Sequence, residues 1–387
     1  MENRVMLKSL TKEQIDKLSD IQLYNIMFGP VIDMKKKIEE KGLEENSVVA
    51  VYGATIVPIK RRMNALMDLI DVKKPQTIIF SGGDSWDGTH HNNKLRTGDA
   101  EKDKENIRRH LKNFKERTED MILYFPFIKD RALKDMKKAS PNPENFESSL
   151  RAYIEQEVEK TIDKMLEDPK EEKKYMEEYA RINESLEQIG KPKFKTFAEW
   201  LYSFKESRQV RTYILHYYTE ADLMEMIWEE VYGGKERTQK ILLEKKSNDT
   251  SENAVECVKL FEKEREKNPK LNTITLVNEW PYLLRAVLTT KKKAQEAGVD
   301  IEIDGYPADF CEGVGVQYMD IEEYRKILRT NLKKSIEYQD VGDMDITEYF
   351  NLTDLIDNGE VAKINKIPIR FFIQRQAPEK EDDEGRS

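Results

Sequence analysis

Cysteines, histidines and long apolar runs are all scarce in this 387-residue chain. Its two cysteines, Cys257 and Cys311, form no CxxC and no zinc-ligand spacing. That pattern excludes a disulfide framework and fits free, buried thiols in a reducing compartment. The four histidines, His90, His91, His110 and His216, include no HExxH and no i,i+4 pair, so no metal site is predicted, although His90 and His91 lie near Asp84 and Asp87. No GxSxG elbow and no GxGxxG fingerprint occurs. No stretch approaches the roughly 18 apolar residues of a membrane span, and the opening MENRVMLKSLTKEQ lacks a signal-peptide apolar region. A cytoplasmic protein with no membrane partner is expected. Negative charge dominates, with 74 Asp+Glu against 65 Lys+Arg and a formal net charge of -9, which argues against a general nucleic-acid partner.

What is present is a chain that is 38% hydrophobic, enough to bury a core in one large domain or two. Residues 11–45 carry Ile15, Leu18, Ile21 and Leu23 at helical spacing and are read as part of an N-terminal helical arm, residues 1–45. A βα alternation follows. VVAVYG (48–53) and TIIFSGG (77–83) are short apolar runs that end in glycine, and ILLE (241–244), TITLVN (273–278) and VDIEIDG (299–305) resume the pattern downstream. Five such strands alternating with helices predict an α/β fold with a Rossmann-like parallel sheet, because parallel strands need crossover connections.

The core is therefore assigned to 46–87 and 216–305, interrupted by a helical insertion at 88–215. Within the insertion, Asn142 and Pro143 read as an N-cap and first helical residue, and Leu150, Ile154, Val158 and Ile162 as one buried face. An aromatic-rich helical pattern runs from 196 to 228, with Trp200, Phe197, Tyr202 and Phe204 as packed core or a base-stacking surface. The insertion leaves and rejoins the sheet at the strand ends, so it is expected to be a cap, with a partner-binding module as the rival reading. A helical extension occupies 306–377, including an edge strand at IPIRFFIQR, and the acidic tail 378–387 is expected to be disordered.

In open parallel sheets, ligands bind beyond the carboxyl ends of the strands. The unusual residues fall there. Gly53 ends the first strand, Ser81, Gly82 and Gly83 end the second with Asp84 following, Glu244 ends the third, and Asn278 and Glu279 end the fourth. Bare glycine backbone at Gly82 and Gly83 would let a phosphate, ribose or carboxylate lie close, with Ser81 as a polar contact. Asp249, Thr250 and Asn253 read equally well as a helix start. Arg61 and Arg62 read either as site residues or as helix-surface decoration. Glu220 and Glu244 should share one rim, and Arg285 near a helix start calls for an anionic partner, either Glu244 or a ligand.

Taken in order, VVAVYG with Arg61 or Arg62, IIFSGG, TEADLM, ILLEKKSNDTSENA and TLVNEWPYLLRA resemble the YdcF-like group, which includes ElyC and SanA. The resemblance covers about 48–87 and 215–305. Its pattern falls on Gly53 with Arg61 or Arg62, Ser81, Gly82, Gly83, Glu220, Glu244, Ser247, Thr250, Asn253 and Arg285, and these together with Asp84 are the expected ligand contacts. It departs from the group at Glu279, Trp280 and Pro281, where many relatives carry a histidine, and in the length of the insertion. What the resemblance implies is a Rossmann-like fold with a ligand cleft at the strand ends, S-adenosylmethionine suggested for one branch and no agreed reaction; the first expectation is therefore a binder of a nucleotide-type small molecule, with methyl transfer as the chemistry if S-adenosylmethionine is the ligand. Two other functions are kept open: a metal-assisted hydrolase of a phosphorylated small molecule using Glu220, Glu244 and Asp84, and a non-catalytic sensor that contacts a protein partner.

Overall fold

A computed structural model of the chain describes residues 4–6, 11–18, 20–41, 46–53, 56–73, 75–83, 125–188, 190, 192–247, 249–308, 321–342 and 349–351. They fall into two compact units, Met1–Ser85 with Thr219–Ser387, and Trp86–Tyr218.

The first unit is an α/β domain. Its strands β2 (Ser47–Tyr52), β3 (Thr77–Ser81), β4 (Lys240–Glu244), β5 (Thr273–Glu279) and β6 (Glu302–Ala308) form one sheet in the order β4-β3-β2-β5-β6. All four pairings are parallel, from Val48 opposite Thr77 and Ile274 to Glu279 opposite Ala308. The order reverses direction between β2 and β5, as in doubly wound nucleotide-binding sheets. β2, β3 and β5 are buried along their whole length, which explains why they read as continuous apolar runs rather than alternating ones.

Alternate residues of β2 serve two cores. Val48, Ala50 and Tyr52 pack with α2 (Asp20–Lys41), α9 (Thr250–Lys267), α10 (Trp280–Glu296) and α11 (Ile321–Asp340) through Leu23, Met27, Phe261, Leu283 and Leu328. The opposite face carries α3 (Ile56–Lys73) and α8 (Glu220–Val231), where Phe80 of β3 meets Trp228 edge-on at 6.3 Å. The N-terminal segment is thus no peripheral arm. A short helix α1 (Lys12–Asp16), closed by a Thr11–Gln14 capping box, leads into α2, and Leu23, Ile26, Met27 and Val31 of α2 are core residues. A small antiparallel pair joins β1 (Arg4–Met6) to β7 (Tyr349–Asn351). The IPIRFFIQR segment and the acidic tail lie outside the described residues.

The fifth core strand starts three residues later than the sequence predicts. Val299 donates its N–H to Ala294 O at 2.9 Å and Gly298 takes φ +70, so VDI closes helix α10 before β6 begins. At the other end of the sheet, Glu264 of α9 ties Lys240 of β4 to Lys267, the latter at 2.7 Å. Burial works against the Glu264 carboxylate, and hydrogen bonds from Lys240 and Lys267 outweigh it, so the group sits below the ordinary glutamate range. A depressed carboxylate stabilises the fold at neutral pH and loses that contribution as pH falls through the folded-state value. Glu264→Gln is therefore expected to flatten the acid limb of a stability–pH curve below roughly pH 4. An unchanged limb would mean that the two lysines add nothing.

The second unit is helical, with α4 (Pro126–Ala139), α5 (Phe146–Glu167), α6 (Pro169–Gln188) and α7 (Phe197–Tyr217) among its described residues. Helix α5 starts at Phe146 rather than Pro143, because residues 142–145 form a turn in which Asn142 Oδ1 accepts from Asn145 N at 3.4 Å. Strict i+4 spacing rotates about 40° per step on a 3.6-residue helix. Ile154 is accordingly buried while Ile162 is 39% exposed, and Thr161 takes the inward position. Of the predicted aromatic core, Trp200 is buried against Phe197 and Phe204 and is joined by Tyr175 and Tyr179, at centroid distances of 5.3 to 6.4 Å, whereas Tyr202 is half-buried near Glu206 and outside the cluster. The helical pattern from 196 to 228 is broken at Tyr218, where the backbone is extended. No described helix is long and apolar enough to cross a membrane.

Candidate functional site

The carboxyl ends of β2, β3, β4 and β5 gather the buried charged side chains Arg61, Arg62, Glu220, Glu244, Glu279 and Arg285, each 9% exposed or less. Five of them form three groups around the point where the strand order reverses, and Arg285 stands apart.

The first group links β3, β4 and α9. Glu244 Oε1 accepts from Lys246 N at 2.6 Å and Ser247 N at 3.0 Å, and its Oε2 accepts from Ser81 Oγ at 2.7 Å and from Ser247 Oγ. Both hydroxyls also lie against the amide of Asn253, Ser81 at 2.9 Å. A hydroxyl owns one proton. The structure sets Asn253 Oδ1 against both hydroxyls; with both protons directed to the carboxylate each serine oxygen becomes an acceptor, so we assign the amide from the hydrogen-bond network with its nitrogen toward them. Ser81, Glu244, Ser247 and Asn253, four of the expected site residues, are thus brought together, but as partners of one another. Glu244 is neither solvated nor paired with Arg285. Beneath them lies Cys257, whose thiol burial pushes up to about 12, and Tyr52, whose phenol shares a 2.7 Å hydrogen bond with Thr290 Oγ1.

The second group explains the glycines. A Cβ built on Gly53 would lie 2.0 Å from Glu220 Oε2, and one on Gly82 would lie 2.6 Å from the same oxygen. At Gly83 it would meet Ser247 O at 2.4 Å. The missing side chains make room for Glu220 and for the loop after β4, both parts of this chain. Nor is the glycine backbone bare. Gly82 N donates to Glu244 O at 3.0 Å, Gly83 N to Ser247 O at 2.7 Å, and Ala221 N to Gly82 O at 3.0 Å. The expectation that these N–H groups await a ligand is corrected: strand and loop closure consume them. A capping box between Thr219 and Asp222 starts α8 at Glu220, whose side chain fills the space beside Gly53 and Gly82.

The third group spans the reversal point. Arg62 donates to Tyr52 O at 2.6 Å and Gly53 O at 2.8 Å, capping β2, and pairs with Glu279 at 3.4 Å. Arg61 pairs with the other oxygen of Glu279 at 2.8 Å. Surface decoration is excluded for both arginines, which are 5% and 4% exposed. Glu279 was not among the expected site residues. Its signal was a carboxylate ending an apolar strand, TITLVNE, every residue of which is buried. Tyr282, one turn on, is raised by burial and then by Glu279.

Arg285 stands apart from these groups, over the ring of Tyr338 at 5.1 Å. Thr250 is a half-buried first residue of α9, whose cap is Asp249, accepting from Ser251 N and Glu252 N at 3.0 Å each. Asp84, His90 and His91 lie outside the described residues, among which no cluster of three His, Cys, Asp or Glu side chains suits a metal ion. Compared with family models, curated proteins and solved structures, the chain matches none.

Proposed function

We propose that the chain binds a nucleotide-type small molecule at the carboxyl edge of its sheet. The observation that carries this reading is the concentration of six buried charged side chains at that one edge. Buried charge costs stability, so a fold that collects it where open parallel sheets bind ligands is arranged for recognition. The resemblance to the YdcF-like group supports S-adenosylmethionine as the specific ligand. The residues fit such a group at two points: the Glu220 carboxylate, packed beside Gly53 and Gly82, borders the edge where ribose hydroxyls or a cationic centre would lie, and Arg285 has an orphaned Nε suited to a carboxylate. When bound, this cofactor supplies an electrophilic methyl group. Glu220 would orient it, and the Ser81–Glu244–Ser247–Asn253 network would hold β3, β4 and α9 in register beneath it.

The hydrolase reading weakens, because the oxygens of Glu244 are committed to four protein donors rather than to a metal ion. Calorimetric titration of the full-length protein with S-adenosylmethionine, ATP and AMP tests the proposal. Saturable binding of at least one, weakened tenfold or more in Glu220→Gln, is the expected result. Absence of binding by all three, together with native mass spectra showing only the bare chain, would overturn it.

A further inference from the structure

Every other buried charge at the strand edge answers to a partner. Arg285 does not. It is 9% exposed, its Nε is buried without an acceptor, and it makes no hydrogen bond or ion pair with any described residue. Leaving a guanidinium in this condition is expensive, and burial draws it below the ordinary arginine range. Its guanidinium lies over the Tyr338 ring on α11, 5.1 Å from the centroid, which holds the plane in place without using its protons. Lys334, one helical turn before Tyr338 on the same face of α11, feels the Arg285 charge and has no salt bridge either among the described residues. Arg62 adds a third positive charge within Coulombic reach of Arg285. The acid within that reach is Asp249, which is committed to capping α9, while Glu337 on α11 is paired with Lys12 at 2.8 Å.

Two cations on neighbouring helices, one of them nine-tenths buried and oriented by an aromatic ring, make a site with its donors in place and no acceptor among the described residues. We propose that Arg285 and Lys334 form an anion-binding site that takes a phosphate or carboxylate group in the Arg285 fork. Such a fork matches either anion through two parallel N–H bonds, which a lysine at this position would not. The inference deepens the reading above by assigning the anionic end of the ligand, and it rests on that reading only for what the rest of the ligand is. It also moves the anchor away from the glycine turn, whose N–H groups are already used.

The test is thermal unfolding of the full-length protein in inorganic phosphate, in malonate and in chloride at one ionic strength. Phosphate or malonate is expected to raise the midpoint by a few degrees over chloride, and whichever acts more strongly identifies the class of anion. Arg285→Met should abolish the rise while leaving the midpoint in chloride equal or higher, since it removes an uncompensated buried charge. Lys334→Met should reduce the rise. A lower midpoint for Arg285→Met in chloride, or a full anion response in that variant, would overturn the site and leave Arg285 a structural partner of Tyr338. The Arg285 side-chain N–H resonance of the unmodified protein gives a reading that needs no variant: it should shift saturably with phosphate or malonate, and an unmoved resonance refutes the proposal. A phosphate response that persists when no nucleoside binds would uphold this site and overturn the nucleotide reading, so the two fail separately.

Discussion

Glu279→Gln is expected to lower the stability of the protein by about 3 to 5 kcal/mol, the range found when one partner of a buried ion pair is removed. Glu279 is 1% exposed and is the shared counter-ion of Arg61 and Arg62. Glutamine preserves the shape and one acceptor, but it leaves two buried guanidinium groups without their negative charge. Arg62 keeps its bonds to Tyr52 O and Gly53 O in the variant. Combining Glu279→Gln with Arg61→Met removes one of the two cations that Glu279 neutralises, and the double variant should recover on the order of 1 to 3 kcal/mol relative to the sum of the single changes. Urea unfolding of the four proteins gives these numbers. A loss under about 1 kcal/mol for Glu279→Gln would place the triad among weak, solvated surface pairs instead.

The sheet was legible because its strands are buried on both faces and bounded by glycine, so SVVAVY, TIIFS and TITLVNE stand out as apolar runs without reference to anything distant. The edge of the fifth core strand was not, because Val299 reads as a strand residue while its N–H serves the preceding helix. At the strand edge, the sequence marked residues that the fold brings into contact but did not show which partners they have. Ser81-Gly82-Gly83 is unusual, but a missing Cβ looks the same whether a ligand or Glu220 fills the space, and Glu220 is more than 130 residues away in the chain. Arg61 and Arg62 looked like surface residues because their counter-ion, Glu279, lies on a strand whose neighbour in the sheet is far off in sequence. Pairing across parallel strands is long-range information that local spacing does not carry.

Asn253→Asp should be as damaging as the loss of Glu279, and it tests the proton arrangement of the buried network. Asparagine and aspartate have the same shape, so packing is unchanged; the substitution replaces the amide nitrogen that faces Ser81 Oγ and Ser247 Oγ with an anionic acceptor, opposite the Glu244 carboxylate. The two serine hydroxyls hold two protons between them, and both already go to Glu244. Two buried carboxylates sharing them must repel, and the penalty should reach about 3 kcal/mol or more, comparable with other uncompensated buried charges. The sign of its pH dependence follows. Repulsion raises the folded-state carboxyl pKa above the unfolded value, so the penalty is complete above the raised value and shrinks as pH falls toward roughly 4, where one carboxyl is protonated in either state. Adding Glu244→Gln to Asn253→Asp restores one charge and one amide, now on opposite sides: the glutamine nitrogen donates to both serine oxygens, and both hydroxyls donate to the new carboxylate. That double variant should regain most of the lost stability, and Glu244→Gln alone should be mild, within about 1 kcal/mol, because Asn253 can turn its oxygen toward the hydroxyls. Chemical unfolding of the three variants at pH 5 and pH 8 reads all of these. If Asn253→Asp proves neutral at pH 8, or if the double variant is worse than either single one, the network is not closed on Glu244 in the way its distances indicate.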